Sequence, residues 1–179
     1  MNHFPKCTKW WEEYFGPDFY MLLPNYSPKV NEKEIKFICS FLLSSKPCVL
    51  DLACGIGRFI IPLKEKGIKC IGLDICSAFL KRSPKPVVQA DMRRLPFKDN
   101  SFEMVMNIFN SFGFFGKKDD YNVLREVHRV LKERGIFLIS FVNRDYKNAW
   151  ICRQKVKNEE YNFGGTIFKV KYKWNQVVF

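Results

Sequence analysis

No stretch of this 179-residue chain approaches the roughly 18 consecutive apolar residues that a bilayer-spanning helix needs. The N-terminal MNHFPKCTKWWEEYF lacks the basic-then-apolar pattern of a secretory leader. Both absences argue against a membrane and point to the cytoplasm. No C-x-x-C pair occurs, and the seven cysteines (Cys7, Cys39, Cys48, Cys54, Cys70, Cys76, Cys152) are odd in number and mostly embedded in apolar segments. They are expected to be reduced core thiols, and no metal site is expected. Histidine is scarce, with His3 in a terminal tail and His128 inside a helical pattern, so no catalytic histidine is anticipated. Ordinary glycine and proline contents exclude collagen, disorder and low complexity, and no repeat is found.

What remains is the composition of one globular domain, 47% hydrophobic and with a net charge of +12. That charge favours anionic partners in general, RNA among them. The basic residues (Arg93 with Arg94, Lys117 with Lys118, Lys169 with Lys171 and Lys173) are spread along the chain, as on a solvated surface.

The first thirty residues carry Trp10, Trp11, Tyr14, Phe15, Phe19 and Tyr20 at spacings compatible with an amphipathic cap helix. Asn31 with Glu34 resembles a capping box and starts a helix over 31–43. The apolar run Cys48–Leu52 fits a buried parallel strand. Gly55 and Gly57 then form a tight turn into a helix over 58–66, which must begin near Gly57 because Pro62 is tolerable only in a first turn. Strands are predicted at 69–74, 87–90, 102–108 and 136–142, with helices over 75–81 and from Asp119 to Arg134. The last has Leu124, Val127 and Leu131 on its apolar face and Gly135 as its stop. Strands alternating with helices imply a Rossmann-like, doubly wound, mostly parallel α/β sheet, which binds ligands at the carboxyl ends of its strands.

The Gly-rich turn after the first strand lets backbone approach a ligand closely. Asp74 and Asp91 end the second and third strands, Asp74 being placed to accept two ribose hydroxyls. Asn107 and Asn110 lie near the end of the fourth. A nicotinamide dinucleotide fingerprint wants a third glycine where this chain has Ile60, and a phosphate-binding P-loop wants Gly-Lys-Ser/Thr, which is missing.

VLDLACGIGRF at 49–59 resembles motif I of class I S-adenosylmethionine-dependent methyltransferases, usually D-x-G-x-G-x-G, with Asp51, Ala53, Gly55 and Gly57 at its positions and Ala53 as the one departure. GLDI at 72–75 is similar to the family's ribose-binding segment, and the stretch from Gln89 to Phe115 to its next motifs. The resemblance covers roughly residues 10 to 145. It implies an S-adenosyl-L-methionine site, with S-adenosyl-L-homocysteine as product, built from Asp51, Ala53, Cys54, Gly55, Gly57, Asp74, Ile75, Asp91, Met92 and Asn107. Asp51 would lie near the methionine amino end, Asp74 at the ribose, Asp91 and Met92 beside the adenine, and the Asn107 backbone at the methionyl amine. Tyr14, Tyr20 and Asn110 are candidates for a lid or substrate pocket. The sequence at 107–110, Asn-Ile-Phe-Asn, departs from the Asn/Asp-Pro-Pro-Tyr of enzymes that methylate exocyclic adenine nitrogen.

The expected organisation is a cap segment and leading helix over 1–45, a cofactor-binding core over 46–145, and over 146–179 the start of a substrate-region insertion that breaks off early. The alternation of Phe168, Val170, Tyr172 and Trp174 with lysines reads as an amphipathic strand through which the chain would form a homodimer. The expected reaction is methyl transfer to a small-molecule acceptor by in-line displacement. RNA methylation, or cofactor binding without activity, are the alternatives.

Overall fold

Val49, Leu50 and Leu52 are wholly excluded from solvent, as an unbroken apolar run requires of a central strand covered on both faces. In the computed structural model of the chain this run is β1 (Cys48–Leu52). The structure describes residues 32–42, 44–109, 111–113 and 115–140, and the backbone of two strands at 158–163 and 166–171. β1 pairs in parallel with β2 (Lys69–Asp74) on one side and with β4 (Phe102–Asn107) on the other. β3 (Val87–Gln89) extends the sheet beyond β2, and β5 (Leu131–Ile139) beyond β4, giving the parallel order β3-β2-β1-β4-β5. The chain therefore changes direction across β1, and the carboxyl end of β1 is the switch point of the sheet.

Alternation along the strands divides the core in two. Val49, Met104 and Met106 face α1 (Glu32–Cys39) and α2 (Ile60–Glu65), meeting Ile35, Ile38, Ile60 and Leu63. Leu50, Leu52 and Val105 face α4 (Lys117–Val130), meeting Val123, Val127 and Val130. α3 (Ser77–Leu80) is a single turn after β2. A separate antiparallel pair, β6 (Asn158–Phe163) and β7 (Thr166–Lys171), has Glu160 opposite Lys169. The anticipated strand at 168–174 overlaps β7, whereas β6 was not anticipated, and Tyr172 and Trp174 lie outside the described residues. No helix among the described residues is long and apolar enough to cross a membrane.

Four helices differ from the sequence expectation. α1 covers only Glu32–Cys39 of the anticipated 31–43. The chain leaves β1 through successive tight turns, closed by Gly57 N–H to the Cys54 carbonyl and Ile60 N–H to the Gly57 carbonyl, so α2 starts at Ile60 with Pro62 still in its first turn. α3 begins at Ser77 rather than Ile75, because the Cys76 N–H is taken by the Asp74 carboxylate. α4 stops at Val130 and not at Arg134. The Asn100 and Ser101 N–H groups bind the Arg129 and Val130 carbonyls at 3.0 and 2.8 Å, capping the helix, and the chain leaves extended from Leu131.

β5 consequently starts earlier than the anticipated residue 136. The register between β4 and β5 moves from Phe102–Leu131 to Met104–Ile136, which forces Lys132 to Gly135 into a bulge where Arg134 has φ +61°. The buried stripe of α4 is Val123, Val127 and Val130, while Leu124 is exposed. Arg129 locks this corner: its guanidinium donates to the Leu95 and Phe97 carbonyls and to the carboxylates of Asp99 and Glu126 at 2.7–2.9 Å. Arg129→Met is expected to lower stability by about 2 kcal/mol, because it leaves two half-buried carbonyls without donors. Urea unfolding measures this, and an unchanged midpoint would show that the clamp contributes nothing.

Candidate active site

The loop leaving β1 is built on backbone that L-residues avoid. Ala53, Gly55 and Gly57 have φ of +61°, +55° and +71°. Glycine is required at Gly57 for a second reason, since a Cβ there would overlap the Ser83 hydroxyl and the Ile60 side chain. Ala53 is the departure from the methyltransferase pattern, and it adopts the left-handed conformation that the usual glycine would take without strain.

The loop then crosses the tip of β2. Cys54 N–H donates to the Leu73 carbonyl at 2.9 Å, and Gly55 N–H donates to Asp74 Oδ2 at 2.7 Å. Asp74 Oδ1 accepts the Cys76 N–H at 2.9 Å. One carboxylate thus ties the loop after β1 to the loop after β2. Burial pushes the pKa of Asp74 up, and the N–H bonds from Cys76, Gly55 and Ile75 offset only part of that rise.

Beside these loops opens a cleft lined by Ala53, Leu73, Asp74, Ile75, Ala90, Asp91, Met92 and Phe115. Its outer wall is a charged clamp. Arg93 grips Asp91 at 2.6–3.1 Å through two of its nitrogens, reaches Asp119 at 3.0 Å, and stacks 4.5 Å over the Phe115 ring. Burial raises the Asp91 pKa, but the hydrogen bonds and charge of Arg93 outweigh it and hold the carboxyl below its ordinary range.

Behind the cleft lie two buried polar side chains that are only partly satisfied. Asn107 at the tip of β4 donates to the Leu52 carbonyl at 2.9 Å, while its Oδ1 has no donor among the described residues. Asp51 in β1 is 3% exposed, and its Oδ2 also has no donor among the described residues. Desolvation raises the Asp51 pKa to about 7; Arg58 opposes the rise, and the neighbouring Asp74 adds to it. Burial likewise pushes the Cys54 and Cys70 thiols well up. Arg58 itself stacks 4.4 Å from the Phe59 ring centroid and 5.6 Å from that of Phe109, and pairs with Glu34 at 3.2 Å.

Of the residues expected at the site, Ala53, Asp74, Ile75, Asp91 and Met92 line the cleft. Cys54, Gly55 and Gly57 shape the adjoining loop, and Asp51 and Asn107 sit buried at the neighbouring strand ends. Tyr14, Tyr20 and Asn110 lie outside the described residues. Sequence reasoning missed Leu73, Ala90 and Phe115, and it took Arg93 for surface charge. The signal for Arg93 was local: Asp91 Oδ1 also accepts the Arg93 N–H at 2.9 Å, an Asx-type turn. Chemically, the apolar and aromatic wall suits a flat heterocycle, Asp74 offers acceptors for hydroxyls, and the two orphan oxygens suit a cationic N–H donor.

Residues 50–139 match the family described as methyltransferase domain. The chain is 37% identical over 133 residues to an uncharacterised protein of Methanocaldococcus jannaschii, covering 68% of this chain and 50% of the relative. It is 38% identical over 118 residues to a demethylmenaquinone methyltransferase of Thermotoga maritima, covering 62% and 50%. The chain thus spans about half the length of these curated relatives. The crystal structure of a Pyrococcus horikoshii protein, PH0226, superposes with a TM-score of 0.64 over 86% of this chain and 81% of its own; at 24% identity this is a likeness of fold.

Two substitutions test the energetics. Left-handed backbone costs alanine about 1–2 kcal/mol, and glycine's extra chain entropy takes back about 0.5–1 kcal/mol, so Ala53→Gly should stabilise by up to about 1 kcal/mol in denaturant unfolding. A loss of stability would mean that the Ala53 methyl packs better than its backbone suffers. The folded Asp51 titrates near 7, above an unfolded value of about 3.9, so its contribution to stability is present below about pH 4 and is lost as pH rises to about 7. Asp51→Asn should therefore melt higher than the parent at about pH 8, with the difference shrinking towards about pH 4. A variant less stable at every pH would contradict this.

Proposed function

The chain belongs to the methyltransferase-domain family, with the class I Rossmann-like fold of S-adenosylmethionine-dependent enzymes, and from that premise we propose that it methylates a small-molecule acceptor using S-adenosylmethionine bound in the cleft beside β1. The observation that supports this most is the carboxylate of Asp74, which lines the cleft while accepting N–H bonds from the loops on both sides of it. The N–H bonds from Cys76, Gly55 and Ile75 leave part of the carboxylate's acceptor capacity free, so Asp74 can take a ribose hydroxyl without giving up its backbone bonds. Ala90, Met92 and Phe115 offer apolar surface to an adenine, and Asp91, held in place by Arg93, is positioned beside them. Asp51 Oδ2 and Asn107 Oδ1 are the unpaired acceptors for the amino end.

When bound, S-adenosylmethionine supplies a sulfonium methyl group that passes to a nucleophile by in-line displacement. The protein's part is alignment and exclusion of water. His128 is exposed on α4 and His3 lies outside the described residues, so no histidine base is assigned. A small-molecule acceptor agrees with the activity named for the Thermotoga maritima relative. The net charge of +12 supports RNA as a second reading.

Calorimetric titration with S-adenosylhomocysteine tests the cofactor assignment. Asp74→Ala is expected to bind at least about tenfold more weakly, the loss of one charged hydrogen-bonding group. Equal affinity would remove Asp74 from the site. Transfer of labelled methyl from S-adenosylmethionine into an extract of small metabolites, and not into RNA, distinguishes the two acceptor classes.

A further inference from the structure

Asp51 has no ion-pair partner among the described residues, although it is 3% exposed and lies behind a cleft proposed to take a zwitterionic cofactor. The groups that face it come from every element packed around it. Arg58 approaches from the turn before α2, Asp74 from the end of β2, the Cys54 thiol from the loop and the Cys70 thiol from within β2. At the end of β4, Met106 is the partner of Asp51 in the β1–β4 register, and the neutral Asn107 that follows it falls on the other face of the sheet. Both thiols are held protonated by burial. Arg58 is therefore the one cation of this set, and its guanidinium is engaged by the Glu34 carboxylate and two aromatic rings rather than bonded to Asp51. A buried carboxylate with an orphan oxygen, a second carboxylate nearby and its one cation engaged by other groups is held more favourably as the neutral acid.

We infer that Asp51 carries a proton in the free protein and releases it to solvent when the ammonium group of the ligand docks beside it, so that cofactor binding is coupled to proton release, with Arg58 as the positioning residue that sets the balance. This inference rests on the cofactor reading given above. The balance is simple: the Asp51 carboxylic acid becomes carboxylate, its proton goes to buffer, and the ligand ammonium keeps its own protons. The titration near 7 puts the exchange in the physiological range. The ligand's positive charge favours the carboxylate and so lowers its pKa in the complex. Affinity should then rise with pH, by up to about tenfold per unit, until about pH 7, and level off above it.

Titration calorimetry with S-adenosylhomocysteine in two buffers of different ionisation enthalpy counts the protons. The expected result is release of about half to one proton per ligand near pH 6.5, falling towards none near pH 8.5. Arg58→Met, which removes the opposing cation, should extend the release to higher pH, and Asp51→Asn should abolish it. Buffer-independent heats for the parent near pH 6.5, with binding intact, would overturn the coupling. Undiminished release in Asp51→Asn would overturn its assignment to Asp51. If the Asn variant binds too weakly to titrate, the shift in Arg58→Met decides, and an unshifted profile there counts against the proposal. Absence of any binding by the parent protein would instead overturn the cofactor reading itself.

Discussion

The Asp74 carboxylate, with Gly55 N–H at 2.7 Å and Cys76 N–H at 2.9 Å, is the constraint on which the rest of the cleft depends. A sheet whose strand order reverses across β1 has two loops diverging at its carboxyl edge, and some group must fix the distance between them. Here a single side chain does so from the end of β2. Its bond to Gly55 stabilises the run of left-handed residues that begins at Ala53, and its bond to Cys76 ends the extended chain and starts α3. The same carboxylate lines the cleft, so the group that shapes the site is also one that the proposed ligand would meet.

How legible this was in the sequence depended on how local the causes were. β1 and β2 are found at their anticipated bounds, and β4 within one residue, because an apolar run between turn residues needs no distant information. The glycine turn and the two strand-end acids were equally readable. The end of α4 was not. Leu131 to Arg134 suits a helix and Gly135 looks like its stop, but the determinants are N–H groups of Asn100 and Ser101, brought in by the fold. The choice of Val123 over Leu124 as the buried position is a matter of how the helix is rotated against β1 and β4, which periodicity alone leaves open.

The charged residues separate into two kinds. Arg93 and Arg129 each gather carboxylates at partly exposed positions, which lowers the pKa of Asp91 and Glu126 and ties loops to α4. Pairing of this sort can be suspected from neighbours such as Asp91 and Arg93, yet the contacts of Arg93 with Asp119 and of Arg129 with Asp99 are long-range. Asp51 belongs to the other kind, a buried acid whose orphan oxygen finds no donor among the described residues. Nothing in VLDLACGIGRF announced that difference, since burial and the commitment of Arg58 to Glu34 are tertiary facts.

The thiol of Cys54 adjoins a cleft proposed for an alkylating reagent, and a sulfur nucleophile there would be a target for the very group meant for the acceptor. Burial, with Asp51 and Asp74 nearby, keeps that thiol protonated. Reactivity towards a sulfonium methyl belongs to the thiolate. With a methyl donor bound in the cleft, the buried and acid-flanked thiol would thus be a poor competitor for the acceptor.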